Sequence, residues 1–409
     1  MKAASSADGG PGADRGATRP APGPLDLVRL PPLMALGAGS ARVAVAVIDG
    51  AVALGGPEFA GRRVRVLRGE APGGGPAGCG GPAGGAVACE GPGAGRPRGG
   101  AVAREGPAAG RPRDNAVADE GPTGGGPRGG AVACDGPAAG RPRDSSALTC
   151  ALTCDGLAGA TACRHGTFVA GLLSAGRSSA VPGICPGCTL LVHPVFAAAD
   201  PGGRSGGDAG PEPGPGPEPG PRPAARVGEL AAAVVRCVDA GARVLNLSVA
   251  PERPALPDHR ALSEALDHAA ARGTLVVVAA GNQSALGASA LTRHPWTIPV
   301  IAYDRRGRPM NLSNLGGSIG TRGIGAPGER VMGRVDGRPF TMTGTSAAAP
   351  FVTGTAALLM SLFPTAPAAD IRAALLHGRT SARRTVVPPL LDAWSAHTHL
   401  AAAGHRRAA

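Results

Sequence analysis

Twice in succession along this chain, a segment with helical spacing of its apolar positions stops at a glycine and passes at once into a short apolar run. Residues 229–240 stop at Gly241 and give way to RVLNLS at 243–248; residues 262–272 stop at Gly273 and give way to TLVVVAA at 274–280. A glycine just past a helix supplies the left-handed turn that ends it. Runs of Val, Leu and Ala with little polar alternation suit strands covered on both faces. Two helix, glycine, strand units in a row imply right-handed crossovers, so the strands lie parallel with helices packed over them. ARVAVAVID at 41–49 and TLLVHPVF at 189–196 read as two more strands, and residues 165–175 as another helix. The expected fold class is α/β, three-layer, with a mostly parallel sheet and helices on both faces. Ligands of such folds bind beyond the carboxyl ends of the strands, where Asp49 and the segment after Ala280 fall.

Much of the remaining length cannot feed that core. A fifteen-residue unit recurs four times across 84–143, as GGAVACEGPGAGRPR, GGAVAREGPAAGRPR, DNAVADEGPTGGGPR and GGAVACDGPAAGRPR. Each offers only Ala-Val-Ala as apolar content, too little to offset the entropy of ordering it. A disordered insertion is expected, with a stacked solenoid as the competing reading. Residues 200–223, dense in Pro and Gly, read as a polyproline-like loop. The layout is then a disordered tail at 1–25, one domain at 26–380 interrupted at 66–147 and 198–225, and a C-terminal extension at 381–409.

The net charge of +12 is carried almost wholly by arginine, the only lysine being Lys2. Beside the excess of Ala, Gly and Pro, this reads as codon bias in a GC-rich genome, and aromatic residues for base stacking make up only 2%, so no nucleic-acid partner is expected. Nine cysteines form an odd set, several in low-complexity sequence, which does not suggest a disulfide framework. Cys185 and Cys188 have CxxC spacing, but without a second such pair a turn lined by small thiols is favoured over a metal site. The N-terminus lacks an apolar h-region and no stretch approaches 18 uninterrupted apolar residues, so a soluble, cytoplasmic protein with no membrane partner is expected. Its oligomeric state is left open.

Three motifs carry chemistry. GTSAAAPFVTGTAALLM at 344–360 puts Ser346 between a small-residue turn and the first turn of an apolar helix, where unpaired N–H groups can receive developing negative charge. VAVIDG ends a strand at Asp49, and RHGTFVAG opens a helix at His165. A serine nucleophile needs a base and a group to orient that base. The chain offers them in the order Asp, His, Ser. Taken singly, each residue is as well explained as a helix or turn cap; taken together, with AAGN at 279–282, they are not.

With these motifs the chain resembles the subtilisin-like serine proteases, or subtilases. VAVIDG, GICPGC, LSN at 312–314 and RGIGAPGE at 322–329 most resemble the bacterial subtilases that mature cyanobactin-type ribosomal peptides. The resemblance implies Asp49, His165 and Ser346 as catalytic residues and Asn282 as the oxyanion-hole donor. It also implies a peptide or protein substrate held along Ser248, Val249, Ala279, Ala280 and Gly281. No cofactor is required by that chemistry, and no acidic cluster suited to structural calcium stands out. Departures from the family pattern are Gly50-Ala51 in place of a hydroxyl residue after Asp49, Phe168 in place of a second histidine, and SVAP at 248–251 in place of a glycine-rich edge. The last motivates an alternative, a catalytically weak subtilase fold that binds peptides or acts as a scaffold. His193, His268 and His294 have no catalytic context and are expected to be surface or core residues.

Overall fold

The computed structural model describes residues 22–67, 160–195, 226–248, 260–377 and 385–408. These belong to one compact unit, whereas a second unit, Glu90–Leu148, lies wholly outside the described residues. The repeats at 84–143, the loop at 200–223 and Val249 are likewise outside them.

Two short helices, α1 (Pro24–Leu27) and α2 (Leu30–Ala35), precede β1 (Ala44–Asp49), a 3-10 turn at Pro57–Phe59, and β2 (Val64–Val66). Then come α3 (Ala160–Ser174), β3 (Thr189–Pro194), α4 (Val227–Asp239), β4 (Ala242–Leu247), α5 (Arg260–Ala271), β5 (Leu275–Ala279), α6 (Ala290–Arg293) and β6 (Thr297–Tyr303). The chain continues through α7 (Gly317–Arg322), β7 (Ile324–Pro327), β8 (Val331–Val335), β9 (Arg338–Met342), α8 (Thr345–Leu362), α9 (Ala368–Leu375) and α10 (Ala393–Ala402).

Among the described residues, seven strands form one sheet in the order β2-β3-β1-β4-β5-β6-β7, and every neighbouring pair in it is parallel. Strand alternation divides the core into two layers. Val45 and Val47 of β1 join α3 and α8 on one face, while Ala46 and Ile48 join α4 and α5 on the other. The three-layer α/β expectation therefore holds. It also places β1 at a switch in strand order, flanked by β3 and β4, which is where an open parallel sheet forms a crevice.

α8 is apolar around its whole circumference because it is buried on all sides. It lies against β4, β5, β6 and β7 and packs on α3. A polar anchor to the sheet is Thr353, whose hydroxyl donates to Asn246 Oδ1 on β4 (2.8 Å). Asn246 is fully buried and its amide donates to Ser248 Oγ (2.7 Å).

Elements beyond those read from the sequence complete the body. β6 runs through Pro299 with a partner strand on each side, a position that proline seldom holds because it cannot donate to the ladder. β8 and β9 form an antiparallel hairpin that packs on α3. α1 begins at Pro24, inside the range expected for the tail, and α10 packs against α2 and α9. A bridge from Gly325 to Leu390 ties the C-terminal stretch to β7. That stretch is packed as part of the same unit because Ala393, Ala396 and Leu400 bury their side chains in its core.

Candidate active site

Asp49, the last residue of β1, is fully buried, and His165 stands on the first turns of α3 with its side chain 24% exposed. His165 Nδ1–H donates to Asp49 Oδ1 at 2.7 Å, and the same oxygen accepts the Gly50 N–H at 2.6 Å. Two features bring strand end and helix together. A side chain at Gly166 would strike the carbonyls of Gly50 and Ala51, so only glycine lets α3 seat there. Thr167 then accepts the Ala53 N–H at 2.9 Å, pinning the loop after β1 to the helix. Asp49 Oδ2 is buried and has no hydrogen-bond partner among the described residues. That orphan matches the missing hydroxyl at Gly50-Ala51.

Burial is the largest influence on His165 and would lower its pKa, but the Asp49 charge and the hydrogen bond to it together outweigh burial and raise the pKa above 6.5. With Nδ1 committed to the carboxylate, neutral His165 has Nε2 free to accept a proton.

Ser346 is the second residue of α8, half-buried, two positions after the N-cap residue Gly344. Gly344 has φ +133, and a side chain there would collide with the Asn282 carboxamide. Asn282 Oδ1 accepts both the Thr345 N–H (2.9 Å) and the Thr345 hydroxyl (3.1 Å). Thr345 Oγ1 in turn accepts the Gly281 N–H at 3.2 Å. Because the oxygen of the carboxamide faces Thr345, its N–H₂ is left as a donor beside the α8 N-terminus. Pro350 has no N–H to offer the Ser346 carbonyl, so the first turn of α8 lacks that helical bond.

The loop carrying Asn282 is held by Asn314, a residue the sequence motifs touched only as part of LSN. Asn314 Oδ1 accepts the Gln283 and Ala285 N–H groups, both at 3.1 Å, and its amide donates to the Ala280 carbonyl at 3.1 Å. An asparagine between glycine-rich turns is too common a pattern to single out alone. Asn246 could have been flagged, since an amide inside an apolar strand demands a buried partner.

Asp49 and His165 are therefore joined, and Ser346 and Asn282 are neighbours on a second frame. The helices that carry His165 and Ser346, α3 and α8, pack against each other. Among the described residues His165 hydrogen-bonds to Asp49 and not to Ser346, a looseness common before substrate tightens a site. Ala279 and Ala280 are buried at the end of β5, and Ser248 is buried after β4 and bonded to Asn246.

His193, His268 and His294 have structural partners. His193 Nε2 accepts from Arg236 Nε at 3.1 Å, and burial followed by the Arg236 charge holds its pKa at about 4. His268 pairs with Asp239 and His294 with Asp267. Cys185, Cys188 and Cys237 are free and buried, but Cys163 is disulfide-bonded, so that one position departs from the expectation for the cysteines. Among the described residues no group of three or more His, Cys, Asp or Glu is placed to hold a metal ion.

Comparison with known proteins follows the same lines. A family model described as the Subtilase family matches residues 158–389. Subtilisin Savinase of Lederbergia lenta is 29% identical over 219 residues, which span 53% of this chain and 70% of that protein. An alkaline protease of Shouchella clausii is also 29% identical over 219 residues, but this chain spans only 50% of its length. Among solved structures, a mutant of the protease domain of PatA aligns with a TM-score of 0.60 at 23% identity, covering 90% of this chain and 97% of that one. The prenylagaramide maturation protease PagA gives 0.58 at 21% identity, covering 91% and 98%. The PatG macrocyclase in complex with peptide gives 0.58 at 19%, covering 94% and 99%. At such identities the structural likeness speaks for the fold.

Proposed function

The chain belongs to the subtilase family, and from that premise we propose that it is a serine endopeptidase whose triad is Asp49, His165 and Ser346. Ser346 Oγ attacks the scissile carbonyl while His165 Nε2 takes its proton and then delivers it to the leaving amine. Water repeats the sequence to release the acyl group. Asp49 keeps His165 in the Nδ1–H tautomer and stabilises the imidazolium. The Asn282 amide and the Ser346 N–H receive the negative charge of the tetrahedral oxygen.

What supports this reading is the 2.7 Å His165–Asp49 contact, together with a helix N-terminus that bears Ser346 and adjoins the Asn282 carboxamide, on a helix packed against α3. A narrower role, trimming ribosomally made precursor peptides, is supported by the fold shared with maturation proteases such as PagA. Incubation with a fluorophosphonate probe and a fluorogenic peptide tests the proposal. Labelling and cleavage are expected in the wild type, and both should vanish in Ser346→Ala. The departure SVAP at 248–251 motivates the second reading, a peptide-binding scaffold, which predicts peptide binding with neither labelling nor cleavage.

A further inference from the structure

His165 and Ser346 stand on different helices, so their separation depends on whatever fixes α3 against the segment leading into α8. One turn beyond His165, α3 carries Phe168, which is fully buried. Its ring lies over the β8–β9 hairpin, where Gly333 pairs across the strands with Phe340. The ring fills the space that a side chain at Gly333 would need. It meets Phe340 edge-on, with centroids 6.0 Å apart and planes at 69°, a geometry with a directional preference of its own.

From Phe340 the chain reaches Ser346 along a path pinned three times. Thr343 Oγ1 accepts the Arg330 N–H at 3.0 Å. The Gly344 N–H donates to the Gly328 carbonyl at 2.8 Å, and the Thr345 N–H donates to Asn282 at 2.9 Å. Displacement at Phe340 is therefore passed to the nucleophile with little slack, while displacement at Phe168 is passed through one helical turn to the base.

We propose that the Phe168–Phe340 contact is a positioning clasp that sets the spacing between His165 and Ser346, so that these two rings govern proton transfer without touching substrate. This rests on the triad reading above. It also gives the departure at Phe168 a purpose, because a histidine in that buried place would bring polar nitrogens into an aromatic contact.

The test measures kcat and KM per fluorophosphonate-titrated site, on a fluorogenic peptide, for the wild type, Phe340→Ala, Phe340→Tyr and Phe168→Leu. Misplacing a reacting group by about 1 Å can cost about a hundredfold in rate. Phe340→Ala is accordingly expected to lose roughly tenfold or more in kcat per titrated site. KM and the midpoint of the pH profile should stay put, since the Asp49 contact is untouched. Phe340→Tyr, which keeps the ring, should recover most of the rate. If Phe340→Ala proves too unstable to purify, Phe168→Leu carries the same expectation with the apolar volume largely kept. The clasp is overturned if the folded variants keep wild-type kcat per site and lose only melting temperature or titratable fraction. Absence of Ser346-dependent labelling in the wild type would instead remove the triad reading, and the clasp with it.

Discussion

The two halves of the site are built differently. Asp49 and His165 form a closed, hydrogen-bonded unit: the carboxylate is fully buried and the imidazole partly so. Ser346 and Asn282 are organised by backbone, through the N-cap turn of α8 and the Thr345 contacts that orient the carboxamide. One half depends on electrostatics in a sheltered place, and the other on a helix end and a rigid loop. Changes to the first should alter the protonation behaviour of the site, whereas changes to the second should alter rate at constant pH dependence.

The largest separation between the halves is expected from Asp49→Asn. It removes the charge that favours the imidazolium and presents Nδ1–H with an amide, and it should lower kcat by about four orders of magnitude. Steady-state kinetics should also show the acid limb displaced to lower pH. Asn282→Ala, in the other half, should lower kcat by about two to three orders of magnitude while KM and the acid limb stay in place. A shifted limb in Asn282→Ala would erase the distinction. Smallest is Thr353→Val, which leaves Asn246 Oδ1 buried without its donor. Denaturant melts should show a loss of about 1–3 kcal/mol, with kcat per titrated site unchanged, because this bond fastens α8 to the sheet far along the helix from Ser346.

The same division governs what could be read from the chain. Strands β1, β4 and β5 were legible because burial on both faces demands uninterrupted Val, Leu and Ala, and α4 and α5 because each ends at a glycine. β6 and β7 were not, since Pro299 and the Gly-Ala-Pro of β7 imitate loop sequence and rely on their neighbours for strand geometry. Asp49, His165 and Ser346 could be singled out because their motifs are local and ordered along the chain. The aromatic contact between Phe168 and Phe340 had no such trace, because it joins an early helix to a late hairpin through tertiary packing alone. The Asn314 clip was hidden for a related reason: most of its partners are backbone groups, which sequence does not distinguish, with the Gln283 side chain as a further acceptor.

The most direct test of the account is the pH dependence of fluorophosphonate labelling in the wild type and in Asp49→Asn. His165 must be neutral to take the Ser346 proton, and its pKa is raised above 6.5 by Asp49 despite burial. Labelling of wild type should therefore rise with pH through a midpoint above 6.5, and the midpoint should fall in Asp49→Asn along with the rate. Labelling that is independent of pH, or a midpoint that Asp49→Asn leaves unmoved, would contradict the coupling of Asp49 and His165 to Ser346.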